Sequence, residues 1–118
     1  MREKNMSCLF CKILAGEIPC TMLFEDEHVV AFRDIRPQAP THCLVIPRKH
    51  IPTINDLTSD DTWLAGHILQ TGKMIAEKEG LSADGYRLVF NVNDNGGQEI
   101  YHIHLHLLGG RQMHWPPG

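Results

Sequence analysis

The stretch Tyr101-His102-Ile103-His104-Leu105-His106-Leu107-Leu108 decides how this chain is read. Strict alternation of histidine with apolar residues is the mark of a β-strand, on which residues two apart face the same way. His102, His104 and His106 then share one side of a sheet, and Ile103, Leu105 and Leu107 the other. On a helix the same side chains would scatter around the axis. Like-facing residues stand roughly 6.5–7 Å apart along a strand, so the outer two histidines are about 13 Å from one another. Two neighbours can share a metal ion, but all three converge on one ion only across a sharp bulge. A row of imidazoles along an extended ligand, each at a different atom, suits the spacing better than chance histidines do.

Outward from that strand, 118 residues make a single domain, 1–118, large enough for its own core. There is no low-complexity tract and no internal repeat. No apolar run approaches the roughly 20 residues of a membrane span. Met1 to Met6 are charged and polar, unlike a signal peptide. A net charge of −3 argues against broad nucleic-acid binding but is compatible with one bound nucleotide. Cys8, Cys11, Cys20 and Cys43, without a secretion signal, point to a reduced, cytoplasmic setting rather than a disulfide framework.

Cys8-Leu9-Phe10-Cys11 has the spacing of a metal knuckle or a redox pair, but the redox reading wants a βαβ context that seven preceding residues cannot supply. Lys12 to Gly16 reads as a short helix closed by Gly16 and broken at Ile18-Pro19. Thr21–Phe24 and His28–Arg33 read as a hairpin around Glu25-Asp26-Glu27. Val30, Phe32 and Asp34 share a face by parity, which suits a nucleoside pocket with its ring on Phe32 and its ribose hydroxyls on Asp34. A solvated Asp opening a loop is an equal alternative. Arg36 to Pro40 is a rigid extended loop. His42–Pro47 is the third strand, with His42, Leu44 and Ile46 on one face and Cys43 and Val45 on the other. Arg48-Lys49-His50 reads as a solvated basic turn.

Thr58-Ser59-Asp60-Asp61 opens a helix of about 21 residues ending at Gly80, with Leu64, Ile68, Thr71 and Ile75 on one face. Gly66 and Gly72 inside it suggest a close helix contact across a dimer. Tyr86–Asn91 is the fourth strand. The turn Asn93 to Gln98 follows, where Gly96 and Gly97 allow positive φ and N–H groups that could face an anion. In the proline-rich tail, Gly109 to Gly118, Trp115 is expected to pack against something, with a second protomer as one choice. Five strands joined mostly by short loops, one long helix and one short helix predict an α+β fold with a mainly antiparallel sheet.

Three functions fit these residues. The first is an enzyme acting at phosphorus. Imidazole is a free base near neutral pH, so His104 could attack phosphorus and form a phosphohistidine-type intermediate that water cleaves. Its neighbours would hydrogen-bond the phosphoryl oxygens. With no P-loop or acidic magnesium motif, donors must do what a metal does elsewhere. The second is a zinc module without catalysis, in which Cys8, Cys11, His50 and one strand histidine give a tetrahedral site. The third is a nucleotide-binding adaptor with little turnover.

His102-Ile103-His104-Leu105-His106-Leu107-Leu108 resembles the signature of the histidine-triad (HIT) superfamily. Phe32-Arg33-Asp34-Ile35, Pro37 to His42, Gly96-Gly97-Gln98 and the tail Gly109 to Gly118 are similar to its Hint branch, the purine nucleoside phosphoramidases. The resemblance runs from about Phe10 to the C-terminus. It implies an α+β homodimer whose sheets join, with the tail 109–118 completing the partner's site. Its substrates would be purine nucleoside phosphoramidates, such as AMP joined to an amine or to lysine, and aminoacyl adenylates. His104 would be the nucleophile of a nucleotidyl-histidine intermediate. His106 and Gln98 would contact the α-phosphate, with His42 and His102 supporting them. Asp34 would bind the ribose, Phe32 and Ile35 would lie near the base, and Asn91 and Gly97 would line the phosphate and ribose side. Trp115 would reach the partner's substrate. No metal is needed for this chemistry. Glu99 stands where relatives commonly carry Ser or Thr, and can alter leaving-group preference or help protonate the departing amine. Cys8, Cys11, His50 and His102 match a structural zinc set of other branches. Cleavage of dinucleoside polyphosphates, as in the Fhit branch, is the competing enzymatic reading; the Hint-like tail argues against it.

Overall fold

The computed structural model describes residues 8–118. Met1 to Met6, read above as unlike a signal peptide, therefore lie outside the described residues. Apolar, β-branched and aromatic runs on either side of a polar turn make the N-terminal hairpin, β1 (Met22–Glu25) with β2 (Val29–Arg33). Asp26 closes its turn by accepting the backbone N–H groups of His28 and Val29, both at 2.8 Å. The remaining strands are β3 (Thr41–Pro47), β4 (Tyr86–Val89) and β5 (Leu105–Gly109). All neighbours pair antiparallel in the order β1-β2-β3-β5-β4, so the histidine strand is an inner one. The fold is α+β, as expected.

The strand alternation builds two layers. Val29, Ala31, Cys43, Val45, Leu105 and Leu107 face Ile68, Ile75 and Ala76 of α2 (Thr62–Lys78). Val30, Phe32, Leu44 and Ile46 face the other way, against Phe10 of α1 (Leu9–Leu14). His42 has the parity of Leu44, and His106 pairs with Leu44 in register, so both belong to the α1 face.

Four local expectations change. The histidine strand starts at Leu105, not Tyr101, because the ladder with β3 covers only Leu105–Gly109. Upstream the chain bends at Tyr101 and His102 and has no sheet neighbour, Ile103 N–H bonding the Ile51 carbonyl instead (2.8 Å). The short helix begins earlier, at Leu9, and Gly16 follows it at φ +78°. The long helix has 17 residues, after a 3₁₀ turn at Ser59–Asp61 that Thr58 and Asp61 cap reciprocally. Finally, Gly72 serves this chain's own core rather than a dimer contact. A Cβ there would come within 2.8 Å of Leu105 Cδ2, so glycine lets α2 lie close on β5.

Candidate active site

The α1 face carries a cavity of about 580 Å³, within the usual range for a small-molecule site. Phe32, Asp34 and Ile35 from the end of β2 line it, together with His42, Asn91, Gly97, Glu99, His104 and His106. Nine of the sequence-predicted residues thus meet in one place. Gln98 does not line it. It is buried under the turn, where its amide donates to the Pro52 and Ile100 carbonyls and its carbonyl oxygen accepts Asn93 N–H. Trp115 lies apart, 82 % exposed and unpacked by its own chain. Gly97 adopts φ +76°, but its N–H bonds Asp94 and that of Gly96 bonds Asn93. Those two donors are spent inside the turn and do not face an anion.

Sequence reading missed the opposite wall: Leu9, Phe10 and Ile13 of α1, then Ile18, Pro19 and Cys20. The i, i+4 pair Leu9 and Ile13 was its only local signal.

Hydrogen bonds fix the tautomers along the histidines. The ring of His104, 8 % exposed, places Nδ1 2.9 Å from the carbonyl of His102. A carbonyl only accepts, so Nδ1 carries the proton and Nε2 keeps its lone pair. His42 Nδ1 accepts the N–H of Gln38 (3.0 Å), which puts the His42 proton on Nε2. That N–H donates to His106 Nδ1 at 2.9 Å, with Asp34 Oδ2 at 3.4 Å from the same nitrogen. His106 must then carry its own proton on Nε2, as a free donor. The site holds a lone pair on one imidazole beside an N–H on the next, the two rings 4.8 Å apart.

Burial keeps these rings neutral. Desolvation lowers His104 most, partly offset by its bond to His102 and by the charges of Asp34 and Glu99. Desolvation and the neighbouring His104 and His42 push His106 down to about 4. His42 is lowered by burial against the opposing pull of Asp34. Asp34 itself is fastened by Arg36 N–H at 2.8 Å.

His102 belongs to a second cluster, with Cys8, Cys11 and His50. Lys49 and Arg48, from the same turn as His50, pair with Asp61 (2.8 Å) and Glu25 (2.9 Å), so that turn is built rather than merely solvated. In the cluster His50 Nδ1 is 3.2 Å from His102 Nδ1, and Cys11 Sγ is 3.3 Å and 3.7 Å from those atoms. Cys8 Sγ is 3.5 Å from His102 Nδ1. A tetrahedral zinc with bonds of roughly 2.0 Å to nitrogen and 2.3 Å to sulfur sets edges of about 3.3 Å between nitrogens and about 3.5 Å from nitrogen to sulfur. The donor set fits that ion. His102 Nε2 donates to the Pro47 carbonyl at 2.7 Å, which leaves Nδ1 as the ligating atom.

Fold and site together define the class: residues 15–113 match the model of the HIT domain family, and the chain belongs to that family. It is 51 % identical over 105 residues to the purine nucleoside phosphoramidase of Escherichia coli (strain K12), covering 89 % of this chain and 88 % of that one. A HIT family hydrolase from Legionella pneumophila Philadelphia 1 superposes with a TM-score of 0.93 at 69 % identity, covering 95 % of this chain and all of the other (100 %). A histidine triad protein from Clostridium difficile gives 0.89 at 40 % identity, over 93 % and 96 %. The chain is an enzyme of the hydrolase class within that family.

Proposed function

We propose that this protein hydrolyses the P–N bond of purine nucleoside phosphoramidates such as AMP-amines and AMP-lysine, and the acyl-phosphate P–O bond of aminoacyl adenylates, through a nucleotidyl-histidine on His104. The observation that carries the reading is the pair of opposite tautomers: a lone pair on His104 Nε2 beside the N–H of His106, in one cavity wall. Base and ribose would lie against Phe32, Ile35 and Asp34. His104 Nε2 attacks phosphorus, the P–N bond breaks, and the amine leaves with a proton taken from solvent, which the attacking water of the second step gives back. His106 Nε2–H bonds a phosphoryl oxygen as charge grows there, which takes the part expected of the glycine-turn N–H groups. His42 and Asp34 behind it hold the donor tautomer. Water then attacks the same phosphorus, releases AMP and restores His104. No step uses a metal. Zinc on Cys8, Cys11, His50 and His102 would be structural, since four protein ligands leave no open position.

The enzyme would act as a homodimer in the cytoplasm. Two features support the dimer: β4 is an edge strand, and the exposed Trp115 is free to reach a partner. Among the described residues no helix is long and apolar enough to cross a membrane.

The test is to compare turnover of adenosine 5′-phosphoramidate with that of diadenosine triphosphate, and to measure the mass of the same preparation by light scattering. The reading expects a preference for the phosphoramidate of at least about 100-fold in kcat/KM, some 2.7 kcal/mol in transition-state stabilisation, and twice the chain mass. Preference for the dinucleotide overturns the substrate, and a single-chain mass overturns the dimer.

A further inference from the structure

We propose that the Cys8/Cys11/His50/His102 cluster, loaded with zinc, positions the nucleophile from behind the cavity wall, with Phe10 as the positioning residue that transmits its hold. The inference rests on the phosphoramidase reading of the site.

None of the four cluster residues lines the cavity, yet two links run from them to His104. One is the backbone. The His102 ring is pinned at both nitrogens, by the cluster and by Pro47, and the His102 carbonyl is the acceptor that sets the His104 tautomer. The other is Phe10, which stands between the two cysteines on α1. Its ring, 2 % exposed, meets His104 edge-on at 5.0 Å and 80°, His102 at 5.9 Å and Phe32 at 5.7 Å. The whole of α1 is only six residues, far too short to hold its place by helix formation alone. What fixes it is the cysteine cluster at its start, where Cys8 Sγ also accepts Cys11 N–H at 3.3 Å, and the burial of Phe10. Closing the cluster therefore clamps the edge that bears on the nucleophile. Opening it slackens both links at once, and misplacement by about an ångström can cost a reacting group up to 100-fold in rate.

The experiment uses the full chain with its zinc content measured. Zinc is withdrawn with a chelator, folding is checked by circular dichroism, and kcat is read at saturating adenosine 5′-phosphoramidate. The expected result is a fall of about 10-fold, reversed by zinc alone. Phe10→Leu, with zinc retained, is expected to show a similar fall, and chelation should then lower kcat little further, because the two changes act on one link. A readout independent of turnover is the His104 Nδ1–H resonance, whose exchange with water should quicken when zinc leaves. Unchanged kcat and an unchanged resonance in folded, zinc-free protein overturn the proposal. So does a chain that takes up no zinc, or a chelation effect in Phe10→Leu as large as in the parent. If zinc removal unfolds the chain, Phe10→Leu at full zinc decides, and an unaltered kcat there refutes the link. If the parent lacks phosphoramidase activity, the function assigned above fails, while the resonance still tests this coupling.

Discussion

Each histidine of the site commits one ring nitrogen to a fixed partner, and that commitment decides what the other nitrogen can do. His104 yields Nδ1–H to a carbonyl and keeps a lone pair; His106 receives His42 and keeps a proton. The acid side of the rate profile follows. An ordinary imidazole near 6.5 would lose half its lone pair at that pH. Burial lowers His104 and takes His106 to about 4, so the neutral forms persist well below neutrality. Measured against pH, kcat/KM is expected to stay level from pH 8 through 6.5 and to fall only as pH drops toward the lowered values. A fall centred at 6.5 or above would show that these rings are not desolvated in the working enzyme. Much of this scale was legible in the sequence: parity put His104 with His106 and Phe32 with Asp34, and the family resemblance joined the two pairs in one site. It could not show that Gln98 turns inward to three backbone partners, because those partners come from distant loops. Nor could it show Trp115, expected to pack, standing 82 % exposed.

At the scale of elements, a strand's alternation and its pairing are separate things. The run from His102 to Leu107 keeps its two-sidedness in burial and contacts, with Ile103, Leu105 and Leu107 in the α2-side core and His102 and His104 against Phe10, yet only Leu105 onward finds β3 and β4 beside it. The hairpin and β3 were readable almost to the residue because their apolar runs are bounded by polar turns and prolines. The α1 wall was not, since a six-residue helix carries too little periodicity to announce what it packs on. Gly72 was visible as an anomaly, but its reason lay across the sheet. Gly72→Val would drive a branched side chain into Leu105 and should cost about 3 kcal/mol, read from the urea midpoint at constant m-value. A loss below about 0.5 kcal/mol would mean that α2 does not lie as close to β5 as described.

For the molecule as a whole, the sheet divides its labour by face. One side is packed under α2 and supplies the core; the other leaves room between the sheet and α1 for a ligand. The three like-facing histidines serve two neighbouring sites rather than one, His102 in the cysteine cluster and the other two in the cavity wall. The claim on which everything depends is covalent chemistry at His104. The direct measurement is a rapid alkaline quench during turnover of adenosine 5′-phosphoramidate, conditions under which a phosphorus–histidine bond survives, followed by peptide mass spectrometry. The account predicts an adenylyl group on the peptide bearing His104, absent in His104→Ala, whose kcat falls by at least about 1,000-fold. Full turnover by His104→Ala, or an adduct on another residue of the parent enzyme, would contradict it.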